Sequence, residues 1–420
     1  MSIIEAYTKS VSINTKDIDK NALELIRLLN NEGYEAYLVG GCVRDMLLRY
    51  KPKDYDICTN ALPEDTLRIL KKNKIRYHKL GIKFGTVVAM IGTNEYEITT
   101  YRIDGQYSDS RRPDEVEFTT NILKDLSRRD LTINAIALDI NNNTLIDPFD
   151  GLFDIKARAL KAVGDPDKRF EEDALRILRV LRFAIKYDLG IEHKTYNAMV
   201  KNKKLLQDIS KERITSELMS ILSLNVSIQN QFTNCSWLIK EIIPELGPTM
   251  GFDQHNKYHN HNVYEHILNV VDNCNTTKPE VKLAALLHDI GKPKAFFIGE
   301  DGQGHFYGHP EISYNIAAEV VKNRLKLSKA QEDKILTLVR YHDLPVGTSK
   351  ASAKRLIVKL GEDNVDDWMI HRVADMKDHE YYDKKEEVYS NIEKLRENIR
   401  IIREENECFS LKNLKHFPFI

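Results

Sequence analysis

Two aspartates one residue apart, Asp54 and Asp56 in Lys53-Asp54-Tyr55-Asp56-Ile57-Cys58, follow shortly after Gly40-Gly41-Cys42-Val43-Arg44-Asp45. Residues two apart on a strand point to the same face. On a strand near Tyr55 both carboxylates therefore face one way and can hold hard divalent cations, which take oxygen ligands. The glycines upstream let backbone approach phosphate oxygens closely. Metal-holding carboxylates beside a phosphate cradle suit phosphoryl transfer. A D-x-D strand by itself is commonly no more than a solvated face; the Gly-Gly-x-x-Arg-Asp run upstream favours the chemical reading.

A second constellation lies in the C-terminal half. Ala284-Ala285-Leu286-Leu287-His288-Asp289-Ile290-Gly291-Lys292-Pro293 puts a His-Asp pair at the end of an apolar helix. His266 lies upstream; His309, His342 and Asp375 lie downstream. Imidazole with carboxylate suits a transition metal better than a pure magnesium site. His255, His259 and His261 read as ordinary core or surface histidines.

The elements that must carry these groups follow from pattern. Residues 22–30 read as an amphipathic helix, followed by short strands near Tyr37 and Tyr55 and at 86–91 and 96–100. Residues 105–112 are polar and charged and read as a loop, and 131–140 are apolar and β-capable. From 168 to 224 the pattern is helical throughout and rich in Arg and Lys. Pro244, Gly247 and Pro248 suggest a boundary, or an ordinary interhelical turn. A charged helix over 384–405 precedes the apolar tail 417–420. The expected fold class is α+β: a mixed N-terminal sheet with helices, then all-α segments. The expected divisions are 1–150, 151–250, 255–380 and 381–420.

A chain of 420 residues has room for two or more cores. With 42% hydrophobic and 30% charged residues and a formal net charge of -1, it reads as globular and is not coated in positive potential. Nucleic-acid binding then depends on local clusters, such as Arg182, Lys186, Lys194, Lys201, Lys203, Lys204, Lys211 and Arg213. Cys42, Cys58, Cys235, Cys274 and Cys408 are scattered, which suggests neither a disulfide framework nor a zinc knuckle. No apolar run is long enough to span a bilayer and the N-terminus lacks a signal core, so no membrane partner and a cytoplasmic location are expected.

Residues 35–225 resemble the class II tRNA nucleotidyltransferases, the CCA-adding enzymes, and the related bacterial poly(A) polymerases. Five ordered motifs carry the likeness: Leu38-Val39-Gly40-Gly41-Cys42-Val43-Arg44-Asp45, Asp54-Tyr55-Asp56, Arg128-Arg129-Asp130-Leu131-Thr132-Ile133-Asn134-Ala135, Glu172-Asp173-Ala174-Leu175-Arg176 and Glu212-Arg213-Ile214. The resemblance implies a polymerase-β-like head, a helical neck and body, and addition of C, C and A to a tRNA 3′ end from CTP and ATP without a nucleic-acid template. It implies that Asp54 and Asp56 hold two Mg2+ ions, and that Gly41 and Arg44 contact the triphosphate. Arg44 has a simple pair with Asp45 as its alternative. Glu97 is the candidate third carboxylate, or else a solvated strand position. By resemblance Arg129 binds nucleotide and Asp130 contacts its sugar. Preceding a β-like run, Arg128 and Arg129 are expected to face opposite ways, with a purely structural salt bridge as the alternative to a functional role for Arg128.

In 172–182 polar residues recur every third position: Asp173, Arg176, Arg179 and Arg182. On a helix this is a slanting ridge, ordinarily a solvated edge. Cytosine and adenine share an amino donor beside an unprotonated ring nitrogen, whereas guanine and uracil present a carbonyl beside an N–H. A carboxylate accepts and a guanidinium donates. Asp173 and Arg176, neighbours at i and i+3, can thus match C or A and mismatch G or U. Arg179 and Arg182 lie further along, near phosphates.

Residues 255–380 resemble the HD metal-dependent phosphohydrolase superfamily. That likeness implies His266, His288, Asp289 and Asp375 as minimal ligands, with His309 and His342 completing a second site. Mn, Ni, Fe or Co is the implied metal, and cyclic-phosphodiesterase or phosphatase activity the hypothesis; such domains occur both active and vestigial. Alternative readings are a poly(A) polymerase, a CC-only or A-only enzyme, or an HD hydrolase with an RNA-binding N-terminal module. Intact Asp54 and Asp56 speak against the last. The loop at 105–112 is a candidate for the switch from C to A, and oligomeric state is left open.

Overall fold

The computed structural model describes residues 5–11, 13, 15–79, 81–105, 115–255, 261–378 and 385–405. The expected loop at 106–112, His259, Cys408 and the tail at 417–420 lie outside them. Two compact units divide the chain, 1–209 and 210–420, so the division falls inside the segment 151–250 that pattern alone treats as one.

The first unit is built on a mixed sheet. Its described strands are β1 (Thr8–Ser10), β2 (Ala36–Val39), β3 (Ile57–Thr59), β4 (Arg76–His78), β5 (Thr86–Ile91), β6 (Asn94–Thr100), β7 (Ala137–Asp139) and β8 (Thr144–Ile146). Their order is β1-β8-β7-β2-β3-β6-β5-β4. All pairs are antiparallel except β3 with β6, which run parallel with Ile57 opposite Ile98. Ahead of β2, helix α1 (Lys20–Asn31) starts where the Asp19 carboxylate accepts from the Asn21 and Ala22 N–H groups. It buries Ala22, Leu25, Ile26 and Leu29, the i, i+3, i+4, i+7 stripe of an amphipathic helix. Helix α2 (Gly41–Leu47) follows β2 directly, and α3 (Ile122–Ser127) packs Ile122 and Leu126 into a cluster with Val39, Cys58 and Ala137.

Three expectations change here. The strand expected near Tyr55 is regular only from Ile57, because Asp54 and Asp56 occupy the segment entering it. Residues 131–140 are not one strand: a 3-10 turn, Thr132–Asn134, comes first, and β7 is short. The helical run from 168 breaks between α4 (Pro166–Glu172) and α5 (Leu175–Tyr187), and again at Gly190–Ile191, which pairs in parallel with Ala159–Leu160.

The second unit is mainly helical. Helices α6 (Val263–Asn273), α7 (Pro279–Leu287), α8 (His309–Asn323), α9 (Lys329–Tyr341) and α10 (Glu362–Asp378) carry its chemistry. Val281, Leu283, Ala284, Ala285, Leu286 and Leu287 of α7 are all fully buried, as an apolar helix surrounded by others must be. Capping boxes at Asn262/Glu265 and Ser328/Gln331 fix where α6 and α9 begin. A short hairpin, β9 (Phe297–Ile298) with β10 (Gly304–His305), precedes α8. Pro244–Thr249 forms a 3-10 turn within this unit. The expected terminal helix is present as Lys385–Glu404. Among the described residues, no helix is long and apolar enough to cross a membrane.

Candidate active sites

In the first unit, glycine is demanded at Gly40. Its φ is +72°, a conformation that L side chains rarely adopt, and a Cβ there would lie 2.7 Å from Arg129 Nη1, so the guanidinium would have to shift. At Gly41 the same test finds only Arg44 Nη2, at 3.7 Å.

Asp56 adjoins β3, and its carbonyl accepts from Val39 N–H at 3.0 Å, extending the β2–β3 pairing by one residue. Exposure alternates along the segment: Asp54 exposed, Tyr55 buried, Asp56 half-buried, Ile57 buried. The shared face read from the D-x-D spacing therefore exists, although the regular strand starts later. The parallel register of Ile57 with Ile98 brings Asp56 alongside Glu97, which is exposed on β6. Burial, then Glu97 and Asp54, push the Asp56 carboxyl up to about 6 against the opposing pull of Arg129 and Arg44. A carboxylate held this high has too little positive charge nearby, which is the deficit a divalent cation fills. Asp54, Asp56 and Glu97 do not converge as tightly as a formed metal cluster. Among the described residues, groups of three ligand atoms within 4.8 Å occur only in the second unit.

The surrounding arginines are held by buried acids. Asp125 accepts from Arg128 Nη2 at 2.8 Å and from Arg129 Nη2 at 3.3 Å. The two arginines therefore do not face opposite ways: they stand three and four residues beyond Asp125 at the end of α3, where both reach one carboxylate. Burial would raise the Asp125 carboxyl, but Arg128 and Arg129 hold it below its ordinary range. Arg129 Nε is buried with no hydrogen-bond partner. Asp130 is used internally rather than offered outward. It takes hydrogen bonds from Leu131 N–H (2.8 Å), Asn134 Nδ2 (2.9 Å) and Arg179 Nε (2.8 Å). Against the upward push of burial, Arg179 and these bonds keep it ionised well below the usual range.

Arg44 takes the pairing with Asp45, and takes it buried. Its Nε and Nη2 donate to Asp45 Oδ1 at 3.0 and 2.7 Å, and Nη1 donates to Asn134 Oδ1 at 2.5 Å. Its guanidinium lies 4.7 and 4.9 Å from the ring centroids of Phe183 and Tyr187 on α5. Arg182 covers Phe183 from 4.7 Å.

Asp173 is not on the helix of Arg176. It sits in the break between α4 and α5, extended at φ -149°, with its carboxylate accepting from Leu175 N–H at 3.1 Å. Arg176 N–H donates to the Asp173 carbonyl at 3.0 Å, so the two remain one turn apart. Arg176 is buried; Nη1 bonds Glu172 at 2.7 Å and the Arg169 carbonyl at 3.2 Å, and Nη2 bonds the Arg128 carbonyl at 3.1 Å. Of its five N–H donors, these leave the Nε proton and one on Nη2.

The second unit gathers all six sequence-expected ligands. His288, His309 and His342 each donate Nδ1–H to a carbonyl three residues earlier: Ala285 (2.7 Å), Phe306 (2.9 Å) and Val339 (2.7 Å). That fixes their tautomers and leaves Nε2 as the inward lone pair, as in metal-bound histidines. His266 places Nδ1 2.6 Å from Asp378. Asp289 stands between two groups. Its Oδ2 lies 3.2 Å from both His266 Nε2 and His288 Nε2; its Oδ1 lies 3.2 Å from His309 Nε2 and 3.6 Å from His342 Nε2. Asp375 Oδ1 lies 3.3 Å from His266 Nε2. His309 and His342 Nε2 are 3.0 Å apart. His288 Nε2 and Asp289 Oδ1 are buried with no hydrogen-bond partner. These donors fit divalent transition-metal ions.

Burial would raise Asp289, but His288 and Lys292 hold it well below its ordinary range. Burial and Lys292 would lower His266, yet Asp289, Asp375 and Asp378 outweigh them and push it up to about 10. Sequence reading missed three residues here. Lys292 Nζ lies 2.7 Å from Asp289 Oδ2, Asp378 orients His266, and His371 is fully buried with its ring centroid 5.1 Å from that of His288. The signal was present: His371, Asp375 and Asp378 recur at i, i+4 and i+7 on one face of α10.

Comparison with known proteins agrees with this geometry. Residues 36–161 match the poly A polymerase head domain, 188–227 the probable RNA and SrmB- binding site of polymerase A, and 263–398 the HD domain. A CCA-adding enzyme of Enterococcus faecalis is 47% identical over 203 residues, 48% of this chain and 49% of that protein. One from Lactobacillus delbrueckii subsp. bulgaricus is 43% identical over 210 residues, 50% of this chain and 52% of that one. The chain thus spans about half the length of the curated relatives it matches. The crystal structure of the Bacillus stearothermophilus CCA-adding enzyme in complex with CTP aligns with a TM-score of 0.64 at 26% identity, covering 93% of this chain and 84% of that one. The Thermotoga maritima CCA-adding enzyme complexed with tRNA shares the fold at a TM-score of 0.60 and 21% identity, over 92% and 85% of the two chains. The chain thus carries a match to the poly A polymerase head domain and another to the HD domain, and it resembles the CCA-adding enzymes in sequence over half its length and in fold over nearly all of it.

Proposed function

We propose that this chain is a CCA-adding tRNA nucleotidyltransferase that takes CTP and ATP, with the carboxylates of Asp54, Asp56 and Glu97 as its catalytic centre. The observation that carries this reading is the register placing Glu97 beside Asp56, with the Gly40 turn following β2, the strand that pairs with β3. Magnesium held there would neutralise phosphate charge and activate the primer hydroxyl. In the reaction the tRNA 3′-oxygen bonds to the nucleotide α-phosphorus and the bond to the bridging oxygen breaks. Pyrophosphate leaves, and the hydroxyl proton is released to water. Gly40 and Gly41 admit the triphosphate, and Arg129, with unused donors beside that turn, contacts it. Arg44 acts as a positioning residue that ties α2 to Asn134.

Asp173 and Arg176 select the base. Glu172 and two carbonyls fix the guanidinium plane, leaving donors for the acceptor nitrogen of C or A, while Asp173 accepts from the exocyclic amine. Each mismatched group against G or U costs on the order of 1–3 kcal/mol. Arg179, fixed by Asp130, and Arg182 lie on the same helix toward the phosphates. The test is incubation with tRNAs ending at the discriminator base, at C or at CC, with each labelled nucleotide. Ordered addition of two C and one A is expected; long A tails would indicate a poly(A) polymerase, and no incorporation would overturn the reading. The proposed compartment is a reducing cytoplasm, supported by Cys42, Cys58, Cys235 and Cys274 being free and buried.

For the HD domain the reading is a metal-dependent phosphohydrolase. His266, His288, Asp289 and Asp375 would hold one ion and Asp289, His309 and His342 another, supplying an activated water. Water oxygen bonds to phosphorus, one ester P–O bond breaks, and the leaving oxygen takes the proton. Protein with manganese or nickel and 2′,3′-cAMP should release a monophosphate. No turnover, with no metal found by elemental analysis, would leave this domain a scaffold.

A further inference from the structure

The hairpin of β9 and β10 carries rings on both faces. Toward the protein, Phe296 packs against Phe252 (centroids 5.3 Å apart) and Phe306 (5.5 Å). Outward stand Phe297, His305 and Tyr307. Phe297 and His305 are stacked at 5.5 Å and 29°, His305 and Tyr307 at 5.4 Å and 19°, and Phe297 lies 5.6 Å from Tyr307. Phe297 is 44% exposed and Tyr307 75%. Aromatic surface left in water beside a built cluster of ligands has a hydrophobic cost that folding does not recover.

The hairpin that carries this layer is anchored. Asp301 Oδ1 lies 3.0 Å from His305 Nε2, setting the ring. Gly304 N–H donates to the His255 carbonyl, and a Cβ at Gly304 would collide with the Gln254 carbonyl at 2.1 Å. Gln254 Oε1 accepts from Lys292 Nζ at 3.0 Å, and that same nitrogen holds Asp289. The platform is thus tied to the central metal-cluster carboxylate through two side chains. Tyr307 is two residues from His309, so their Cα atoms are within about 7 Å, a separation that base and phosphate of one nucleotide can bridge.

We propose that Phe297, His305 and Tyr307 form a base-stacking platform, and that the HD site takes a nucleoside phosphate whose base lies on these rings while its phosphate lies at Asp289. The chemistry of the surface selects this occupant: stacked aromatic faces accept any nucleobase, and the neighbouring cluster accepts a phosphate ester. The inference rests on the phosphohydrolase reading, so its test separates the two.

With manganese-loaded full-length protein, turnover of 2′,3′-cAMP is compared with that of glycerol 1,2-cyclic phosphate, which has no base, in wild type and in Phe297→Ala/Tyr307→Ala. Both positions are exposed, and metal content by elemental analysis checks that the cluster persists. The expected result is a KM for 2′,3′-cAMP raised roughly 10-fold or more in the variant, with kcat and the base-free ester within twofold of wild type. An unchanged KM, or an equal loss on both esters, overturns the platform and leaves the hydrolase standing. If wild type turns over neither ester, calorimetric titration with 2′-AMP decides. Binding weakened by the double substitution upholds the platform while the hydrolase reading falls; absent or equal binding overturns both.

Discussion

The acidic site of the first unit and the histidine cluster of the second prepare for cations in opposite ways. In the second unit, ligand atoms already lie within 4.8 Å, and three imidazoles are locked by their Nδ1–carbonyl bonds. In the first, register aligns Asp56 with Glu97, yet the carboxylates stay apart and one is driven toward its neutral form. The difference follows from the elements. Helices packed about a buried core hold ligands rigidly, whereas an exposed strand face leaves its carboxylates to be drawn together by what binds. On the proposed reading, the preformed cluster would keep a resident ion and the unconverged carboxylates would take cations that arrive with their nucleotide.

That contrast can be broken most severely at Asp56. Asp56→Ala, or Asp54→Ala, should lower nucleotide incorporation by about 1000-fold or more, as loss of a metal ligand removes several kcal/mol of transition-state stabilisation. Circular dichroism should be unchanged. Asp289→Ala should empty both groups of the HD cluster, since this side chain faces each of them. Elemental analysis should then find no retained transition metal while CCA addition persists. Next in size, Asp173→Ala with Arg176→Ala should reduce discrimination against UTP and GTP by roughly 10-fold or more, from about 1–3 kcal/mol per mismatched group. Binding of tRNA, measured by filter retention, should hold. Retained discrimination would detach base choice from these residues.

The smallest effect is a dependence on pH. The folded Asp56 carboxyl is raised, to about 6, above its unfolded value near about 4. The native state therefore holds this proton more tightly than the unfolded state, and metal-free stability falls as pH rises from about 4 through about 6. Magnesium, which needs the ionised form, should raise the melting temperature more at pH 7 than at pH 5. Asp56→Asn should flatten that difference.

Much of this was legible from residue order because short-range rules governed it. The i, i+3, i+4, i+7 stripe gave α1, and the His-Asp pair at the end of an apolar helix gave the centre of the HD cluster. The D-x-D spacing gave a common face even though β3 starts at Ile57, since alternation of exposure continues into the extended segment before it. What pattern could not supply was the partner each charged group takes, whether near in sequence or far. Asp125 draws both Arg128 and Arg129 to one side, Asp130 is consumed by Arg179 and Asn134, and Arg44 is buried against Phe183 and Tyr187. The break at Asp173 was hidden because its neighbours are all good helix formers; only the carboxylate's bond to Leu175 N–H marks a new start there.

A crystal structure with CTP and magnesium tests the central claim most directly. The account predicts the triphosphate between the Gly40 turn and the carboxylates of Asp54, Asp56 and Glu97, with the cytosine edge on Asp173 and Arg176. A triphosphate bound away from those carboxylates would contradict it.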